Sequence, residues 1–353
     1  MSETQEPEIV FERRGALAVA TLNRPKALNT LTRSMMQVYH PRLADWAGNP
    51  GVSAVVIRAT GSRAFCAGGD VRRIWEAIRE GDDLPVVFFR EEYALNHDIH
   101  RFPKPYIALL DGIVMGGGVG LSVHGSHRIV TENTAFAMPE TGIGLFPDVG
   151  GTYFLTRLEG ELGMFLGLTG QRLKAADCLY SGVGTHHVES ARLDDLVAAL
   201  AEAEVATPAE VDAVLADFVS DPGPAPLAEQ RAAIDRCFAG DSVEAILAAL
   251  EAEGTPWAEE LLARLGRFSP TSLKLTLRQL RQGRGLSFAQ AMTLEYRLSQ
   301  ACMFGHDFPE GVRALLIDKD NAPKWQPASL EEVSDETIAA CFRPLGDKDL
   351  ILT

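Results

Sequence analysis

Short apolar runs separated by turn residues dominate the first part of the chain. Residues 10–11 and 17–22 are apolar and flank a polar turn at residues 13–15, a pattern that predicts an opening β-hairpin. From Thr32 the apolar residues recur at helical spacing, and residues 52–59 form a β-branched run typical of a strand. The chain is therefore predicted to begin in the order hairpin, helix, strand.

The alternation of elements continues and then gives way to helices. The pattern predicts a helix, a strand, a helix and a strand over residues 86–101, 106–110, 118–123 and 128–130. Such alternation implies parallel strands and an α/β fold. After about Glu189 strand-like runs vanish, and Ala, Leu and Glu dominate. We therefore expect an α/β core over residues 1–189 and a helical C-terminal region over residues 190–353.

Composition and charge exclude several classes of protein. The 353 residues are 46% hydrophobic and 23% charged, so the chain can bury a large core and is unlike disordered proteins. Its 33 basic and 48 acidic residues give a net charge of -15, which is a poor electrostatic match for a polyanion. A nucleic-acid partner is therefore not expected.

Cysteine spacing and the N-terminal residues bear on metal binding and location. The five cysteines lie far apart, without a CxxC pair or a histidine spacing typical of zinc, so no metal site is expected. Residues 1–10 contain three glutamates and no basic residue, unlike a secretory signal or a mitochondrial presequence. No apolar stretch has the length of a membrane span. These features predict a cytoplasmic protein without a membrane partner.

Two glycine-rich loops each join a predicted strand to a predicted helix. The first is Ala67-Gly68-Gly69-Asp70, and the second is Met115-Gly116-Gly117-Gly118-Val119-Gly120. Neither fits the dinucleotide fingerprint or is followed by a Walker lysine. If their backbone N–H groups converged on one carbonyl oxygen, they would form an oxyanion hole for acyl or enolate chemistry, whereas each loop by itself also fits a simple tight turn.

Three carboxylates are candidates for catalysis. Glu140 and Asp148 lie in an otherwise apolar, glycine-rich stretch, where burial would raise their pKa values and suit them to proton transfer or nucleophilic attack. The alternatives are that Asp148 caps a helix starting near Gly150 and that Glu140 lies at a solvated strand end. Glu92 lies in a charged helical segment that by default forms a solvated face.

Taken together, these motifs resemble the crotonase superfamily of acyl-CoA enzymes. The segments that carry the resemblance are Leu22-Asn23-Arg24-Pro25 with Asn29, the two glycine loops, and Pro139-Glu140. A narrower resemblance is to the 3-hydroxyisobutyryl-CoA hydrolases, and it rests on residues 89–93, 115–124, 136–151, 297–303 and 305–308. The matching segments span nearly the whole chain, so the resemblance covers both predicted regions.

The resemblance implies a fold and a set of site residues. The fold is a spiral of ββα units with a helical C-terminal region. By matching motif positions, the thioester oxygen meets the N–H groups of Gly69 and Gly117, and Gly117 also belongs to the substrate-binding set. Glu140 and Asp148, the catalytic pair, lie beside the acyl carbon, and Glu92 binds the acyl end of the substrate.

One departure from the superfamily pattern bears on the reaction. Hydratases of this superfamily have a second catalytic glutamate where this chain has Gly120, and they have a small residue where it has Asp148. A glycine has no side chain to act as a base. The resemblance therefore implies hydrolysis of a 3-hydroxyacyl-CoA thioester, with 3-hydroxyisobutyryl-CoA from valine breakdown as the expected substrate.

Two other functions stay open at this point. An enoyl-CoA hydratase or isomerase would use the same loops to stabilise an enolate, and an isomerase with Glu140 as sole base is compatible with Gly120. A non-catalytic acyl-CoA-binding subunit is the second alternative. No cofactor is expected, because coenzyme A enters as part of the substrate. Enzymes of this superfamily often form homo-oligomers through their C-terminal helices. The alternative is that the longer helical region of this chain covers that surface instead.

Overall fold

The computed structural model describes residues 6–352, so the residues 1–5 that contributed to the predicted location lie outside the described part. The strands are β1 (Ile9–Arg14), β2 (Leu17–Leu22), β3 (Ala54–Ala59), β4 (Ala64–Cys66), β5 (Tyr106–Leu110), β6 (Ile113–Met115), β7 (His127–Val130), β8 (Ala135–Ala137) and β9 (His186–His187).

The helices are α1 (Arg33–Gly48), α2 (Val71–Glu80), α3 (Leu84–His100), α4 (Gly117–Gly120), α5 (Gly151–Phe154), α6 (Leu162–Thr169), α7 (Ala175–Ser181), α8 (Leu193–Glu202), α9 (Pro208–Leu215), α10 (Pro226–Cys237), α11 (Val243–Glu253), α12 (Pro256–Leu265), α13 (Pro270–Gly283), α14 (Phe288–Met303), α15 (Asp307–Val312) and α16 (Asp335–Cys341). The described residues form two compact units. The first lies within Met1–Gly69, Asp98–Phe136 and Leu173–Ala225, and the second within Asp70–His97, Ala137–Arg172 and Pro226–Thr353.

A six-stranded sheet forms the centre of the first unit. Its strand order is β1-β2-β3-β5-β7-β9. The first two strands pair antiparallel, with Ile9 opposite Leu22, and each later pair is parallel. The hairpin and the parallel α/β sheet predicted from the sequence are therefore confirmed. One face of the sheet packs against α8 and α9, where Val19 and Val56 join Leu196 and Leu200 in the buried core.

A second, three-stranded sheet has the order β4-β6-β8. Each of its strands is only three residues long, and no strand was predicted at these positions from the sequence. With them included, the chain runs through β1-β2-α1, β3-β4-α2 and β5-β6-α4 in succession. This order is the repeated ββα unit that the resemblance implied.

Helices make up most of the second unit. Every residue of α6 is buried, and this helix packs against α10, α12 and α13. Beyond His187 the described residues add no strand to either sheet, which confirms the helical C-terminal region. The domain boundary between residues 189 and 190 stays a prediction. Within residues 6–352, we find no helix with both the length and the apolar character that a membrane crossing requires.

Candidate active site

Both glycine loops begin at the ends of paired strands in the three-stranded sheet. Strands β4 and β6 are parallel neighbours, with Cys66 opposite Val114. Because the carboxyl ends of parallel strands lie on the same side of a sheet, the loops that follow them start side by side. A Cβ atom added at Gly68 would lie 3.8 Å from the carbonyl oxygen of Met115. The structure therefore brings the two loops together.

Close packing between the loops depends on Gly118. A Cβ atom at this position would lie 2.3 Å from the carbonyl oxygen of Cys66, so only glycine allows α4 to approach β4 this closely. Gly116, which precedes the helix, has φ 46° and ψ -121°, a conformation open to glycine and strongly disfavoured for other residues. The glycines predicted to allow backbone proximity are thus required by the geometry.

The N–H groups of Gly69 and Gly117 are available to a ligand. Gly117 is the first residue of α4, so its N–H has no partner inside the helix. In the first loop, the N–H of Ala67 donates to the carbonyl of Leu28, whereas the N–H of Gly69 has no acceptor within residues 6–352. The assignment of these two groups to an oxyanion hole stays a prediction.

A buried asparagine fixes the segment that leads into the first loop. The side-chain amide of Asn29 donates to the carbonyl oxygens of Thr60 and Ala64, at 3.0 and 2.8 Å. Its Oδ1 accepts a hydrogen bond from the backbone N–H of Arg24. Asn29 belongs to the motif that carries the family resemblance, and these contacts give that motif a physical reason.

In the second unit, the three predicted carboxylates are all buried. Glu92, Glu140 and Asp148 are 2%, 4% and 4% exposed. The default expectation of a solvated face at Glu92 is therefore wrong, and so is the alternative of a solvated strand end at Glu140. Asp148 does not cap α5 either, since the residue that precedes this helix, Gly150, provides no side-chain cap.

Helix α15 supports the turn that carries Glu140. Glu140 begins a short 3-10 turn that ends at Gly144, which has φ 76°. A Cβ atom at Gly144 would lie 2.3 Å from the carbonyl oxygen of Asp307, and one at Gly311 would lie 2.3 Å from that of Ile143. The two glycines allow the turn and the helix to touch along their backbones. Asp307 and Phe308, which belong to a segment that carries the resemblance, lie at this contact.

Several buried polar atoms lack a partner within residues 6–352. They include Oε2 of Glu140, Oε1 of Glu92 and both side-chain amide atoms of Asn96. Asn96 lies one turn after Glu92 on α3 and is fully buried. Since unpaired buried polar groups are costly, these atoms are candidates to bind a substrate. Asn96 was not singled out from the sequence, although its position four residues after Glu92 was a usable signal.

Two further residues, which were not predicted as site residues from the sequence, hold Asp148 and the turn that follows it. The hydroxyl of Tyr93 donates to Oδ2 of Asp148 at 2.8 Å. The carboxylate of Glu295, on α14, accepts the backbone N–H groups of Gly150 and Thr152. Glu295 lies at a helical position otherwise filled by apolar residues, and an acidic residue there is a signal that the sequence did contain.

Burial raises the pKa values of all three carboxyl groups, and the charge of Asp148 adds to this effect at Glu140 and Glu92. Burial is the largest cause that raises the pKa of Glu140 well above its usual range, and the charge of Asp148 adds to it. Burial likewise raises the pKa of Asp148 to about 7, against the hydrogen bond from Tyr93, which lowers it. Glu92 is raised well above its usual pKa by burial and then by the charge of Asp148. Carboxyl groups of this kind suit proton transfer near neutral pH.

No group of three or more His, Cys, Asp or Glu side chains in residues 6–352 has an arrangement that could hold a metal ion. The five cysteines, all within this range, are free thiols in the structure.

Comparisons with known proteins identify the family. A family model described as "Enoyl-CoA hydratase/isomerase" matches residues 17–342. A Danio rerio protein named "3-hydroxyisobutyryl-CoA hydrolase, mitochondrial" is 50% identical, over 100% of this chain and 94% of its own length. The Homo sapiens protein of the same name is 48% identical, over 97% of this chain and 90% of its own length.

Solved structures confirm the crotonase-like fold. A structure titled as a carnitinyl-CoA dehydratase from Mycobacterium thermoresistibile has a TM-score of 0.92 and 41% identity, over 98% of each chain. Another, titled as an enoyl-CoA hydratase from Rhodobacter sphaeroides, has a TM-score of 0.91 and 40% identity, over 98% of this chain and 100% of its own. Both similarities extend through the helical C-terminal region.

The comparisons also correct the predicted location. The Danio rerio and Homo sapiens relatives are both named as mitochondrial proteins, so the cytoplasmic location predicted from the N-terminal composition is wrong. That prediction rested partly on residues 1–5, and an acidic N-terminus is weak ground for a location. Since the family model covers most of the chain and the relatives match along its whole length, the chain belongs to the enoyl-CoA hydratase/isomerase family.

Proposed function

We propose that this enzyme hydrolyses the thioester bond of 3-hydroxyisobutyryl-CoA, a reaction of valine breakdown, and releases 3-hydroxyisobutyrate and free coenzyme A. The observation that carries the proposal is the buried carboxylate of Glu140, whose Oε2 has no partner within residues 6–352. Relatives that bear the name of this activity match the whole chain at about half identity. Glu140 is therefore the group expected to act on the substrate.

Glu140 can act in either of two ways. As a nucleophile, its carboxylate attacks the thioester carbonyl, the C–S bond breaks, and coenzyme A leaves as the thiolate. Water then hydrolyses the resulting anhydride and regenerates the carboxylate. As a general base, Glu140 instead takes a proton from the water that attacks the carbonyl. In both routes negative charge develops on the thioester oxygen, and the N–H groups of Gly69 and Gly117 are proposed to stabilise it.

Asp148 and Glu92 are assigned to the acyl part of the substrate. Asp148 is proposed to hydrogen-bond the 3-hydroxyl group or the attacking water, and Glu92 to help fix the acyl end. The unpaired Oε1 of Glu92 supports this role, since a buried acceptor without a partner favours a ligand that carries a donor. No cofactor beyond the coenzyme A of the substrate is proposed. Assembly into a homo-oligomer stays a prediction.

Hydration of an enoyl-CoA is the second candidate, because one of the similar solved structures is titled as an enoyl-CoA hydratase. Gly120, in the last position of α4, has no carboxylate to share the activation of water with Glu140. Asp148 and Glu140 are instead both buried in the second unit. The set of acidic residues therefore favours hydrolysis.

Replacing Glu140 by glutamine tests the proposal. Glu140→Gln keeps the side-chain volume and removes the nucleophile or base, so hydrolysis of 3-hydroxyisobutyryl-CoA should fall about 10²- to 10⁴-fold with little change in coenzyme A affinity. Release of free thiol measures hydrolysis, and loss of the enoyl absorbance of crotonyl-CoA measures hydration in parallel.

Glu310→Gln is the matched control. Glu310 is also largely buried and accepts the backbone N–H of Lys324, but it pairs with Arg313 rather than with the carboxylates. Near wild-type hydrolysis by Glu140→Gln would refute the mechanism. Crotonyl-CoA hydration that exceeds thioester hydrolysis in the wild-type enzyme would favour the second candidate.

A further inference from the structure

The turn that carries Asp148 contains a strained residue. Val149 is buried and has φ 50°, in the left-handed region that β-branched residues rarely adopt. Gly150, the next residue, has φ 91°, which glycine adopts readily. The left-handed conformation is unfavourable for a non-glycine residue, so other contacts must hold Val149 in place. The direction of the Asp148 side chain depends on this turn.

Two buried side chains hold the turn. The carboxylate of Glu295 accepts the N–H of Gly150 at 2.7 Å with one oxygen and the N–H of Thr152 at 2.8 Å with the other. The side-chain amide of Gln279, on α13, donates to the carbonyl of Pro147 at 2.6 Å and to Oγ1 of Thr152 at 2.8 Å. The backbone is therefore fixed on both sides of Asp148 and Val149.

Holding the turn does not by itself require an ionisable side chain at position 295. Glu295 is fully buried, and its two carboxylate oxygens accept from backbone N–H groups rather than from a cationic side chain. Burial raises its pKa to about 8, although the hydrogen bonds from the turn lower it. Its negative charge in turn raises the pKa of Glu140 and of Glu92. A buried carboxyl group beside the proposed catalytic acids is costly for the fold, which favours a role in the reaction.

We propose that Glu295 is a positioning residue of the hydrolytic site, which holds the left-handed turn at Val149 and thereby aims the carboxylate of Asp148. This inference rests on the proposed thioester hydrolysis. The titratable groups whose charges act on Glu295, or feel its charge, are Asp148 on the turn, Glu92 and Tyr93 on α3, and Glu140 on its own turn. All of these groups are acids, so removing the negative charge of Glu295 lowers the pKa of each of them.

The variant Glu295→Gln keeps the length of the side chain but removes its charge and one of its two acceptors. We expect kcat for 3-hydroxyisobutyryl-CoA to fall about ten- to a hundredfold. At pH values where Glu295 is ionised, the variant lacks its negative charge, so the pKa of Glu140 should fall and the acidic limb of the kcat/KM profile should move to lower pH. A purely structural defect would lower kcat without moving this limb. Glu310→Gln, the matched control, should leave both unchanged.

A second change tests the strained turn directly. Glycine adopts positive φ without strain, so Val149→Gly added to Glu295→Gln should raise kcat about tenfold over Glu295→Gln alone. Thr152→Val, which keeps the backbone N–H and removes only the hydroxyl, gives a milder test if Glu295→Gln does not fold. Thr152→Val should also lower kcat, by a smaller factor than Glu295→Gln.

Hydrogen exchange separates this inference from the proposed function. Exchange of the Gly150 and Thr152 amides should be slow in the wild-type protein and faster in Glu295→Gln, whatever the reaction. A wild-type enzyme that does not hydrolyse the thioester would refute the proposed function, and with it the role assigned to Glu295. Wild-type hydrolysis combined with unchanged exchange, an unmoved acidic limb or no gain from Val149→Gly would overturn the positioning role alone.

Discussion

The hydroxyl of Tyr93 donates a hydrogen bond of 2.8 Å to the carboxylate of Asp148, and both side chains are buried. A donor aimed at a carboxylate favours its ionised form, whereas burial favours the protonated form. The two effects oppose each other at Asp148, and burial is the larger, so its pKa lies at about 7. The protonation of Asp148 is therefore sensitive to Tyr93 near physiological pH.

Tyr93→Phe should raise the pKa of Asp148 further, because the hydrogen bond that stabilises its charge is lost. If the proposed reaction needs ionised Asp148, the acidic limb of the kcat/KM profile moves to higher pH, and activity falls more at pH 6 than at pH 9. Tyr39→Phe is the matched control, since Tyr39 shares a buried hydroxyl pair with Tyr106 in the first unit. An equal loss at every pH would contradict the prediction.

Asp148→Asn should make the protein more stable at alkaline pH. The folded pKa of about 7 lies above the unfolded value of 3.8, so the stability linked to this group is fully present below about pH 4 and is lost as the pH rises through 7. Asparagine does not ionise, and it still accepts from Tyr93. Its Tm should exceed that of wild type at pH 8, with the difference shrinking toward pH 5.

Asp349→Asn is a control for which the opposite change in stability is expected at alkaline pH. A hydrogen bond from Arg297 is the largest cause that lowers the pKa of Asp349, so its carboxylate stabilises the fold above the unfolded pKa. Asp349→Asn should therefore lower the Tm at pH 8. Scanning calorimetry at both pH values measures both variants. Equal changes in Tm for the two would show that burial does not govern Asp148.

Gly118→Ala should damage the paired glycine loops. Its methyl group would overlap the carbonyl oxygen of Cys66, at 2.3 Å, and force α4 away from β4. We expect a loss of about 1–3 kcal/mol in the free energy of unfolding, together with a loss of hydrolysis. Gly48→Ala is the control, because the space around Gly48 at the end of α1 is open. Urea denaturation measures both variants, and a stable, active Gly118→Ala would show that the loops tolerate separation.

Asp148→Asn also tests which substrate group Asp148 binds. If it binds the 3-hydroxyl, the variant should lose more activity on 3-hydroxyisobutyryl-CoA than on isobutyryl-CoA, which lacks that group. A hydrogen bond to a charged group contributes about 1.5–3 kcal/mol, so the ratio of the two kcat/KM values should change by about ten- to a hundredfold. Equal losses on both substrates would assign Asp148 to the attacking water or the leaving group.

Long periodic segments were predictable from the sequence, whereas the three-residue strands were not. The apolar runs of β2, β3 and β5 are five or six residues long, enough to show a pattern. Strands β4, β6 and β8 are too short for any periodicity, so they were not predicted. Gly118 stood out in the sequence as part of a glycine run, but only the sheet register shows that it faces Cys66.

The environment of the carboxylates was predictable only in part. The apolar surroundings of Glu140 and Asp148 indicated burial correctly. Glu92 was expected on a solvated face because its neighbours in the sequence are charged. Its helical spacing from the buried Phe88 and Phe89 puts all three residues on one face and indicated burial instead. Tyr93 and Glu295 are 55 and 145 residues away from the groups they bind, and such pairings depend on tertiary packing.

The four buried carboxylates of residues 92, 140, 148 and 295 all belong to the second unit, whereas both glycine loops belong to the first. Backbone N–H groups survive any side-chain substitution that preserves the turn, so the N–H groups of Gly69 and Gly117 can stay constant while acidic positions change. New reactions on acyl-CoA substrates can therefore arise by gaining or losing single acids. A mutant library confined to these four positions and Gly120 is a compact search for altered chemistry in this scaffold.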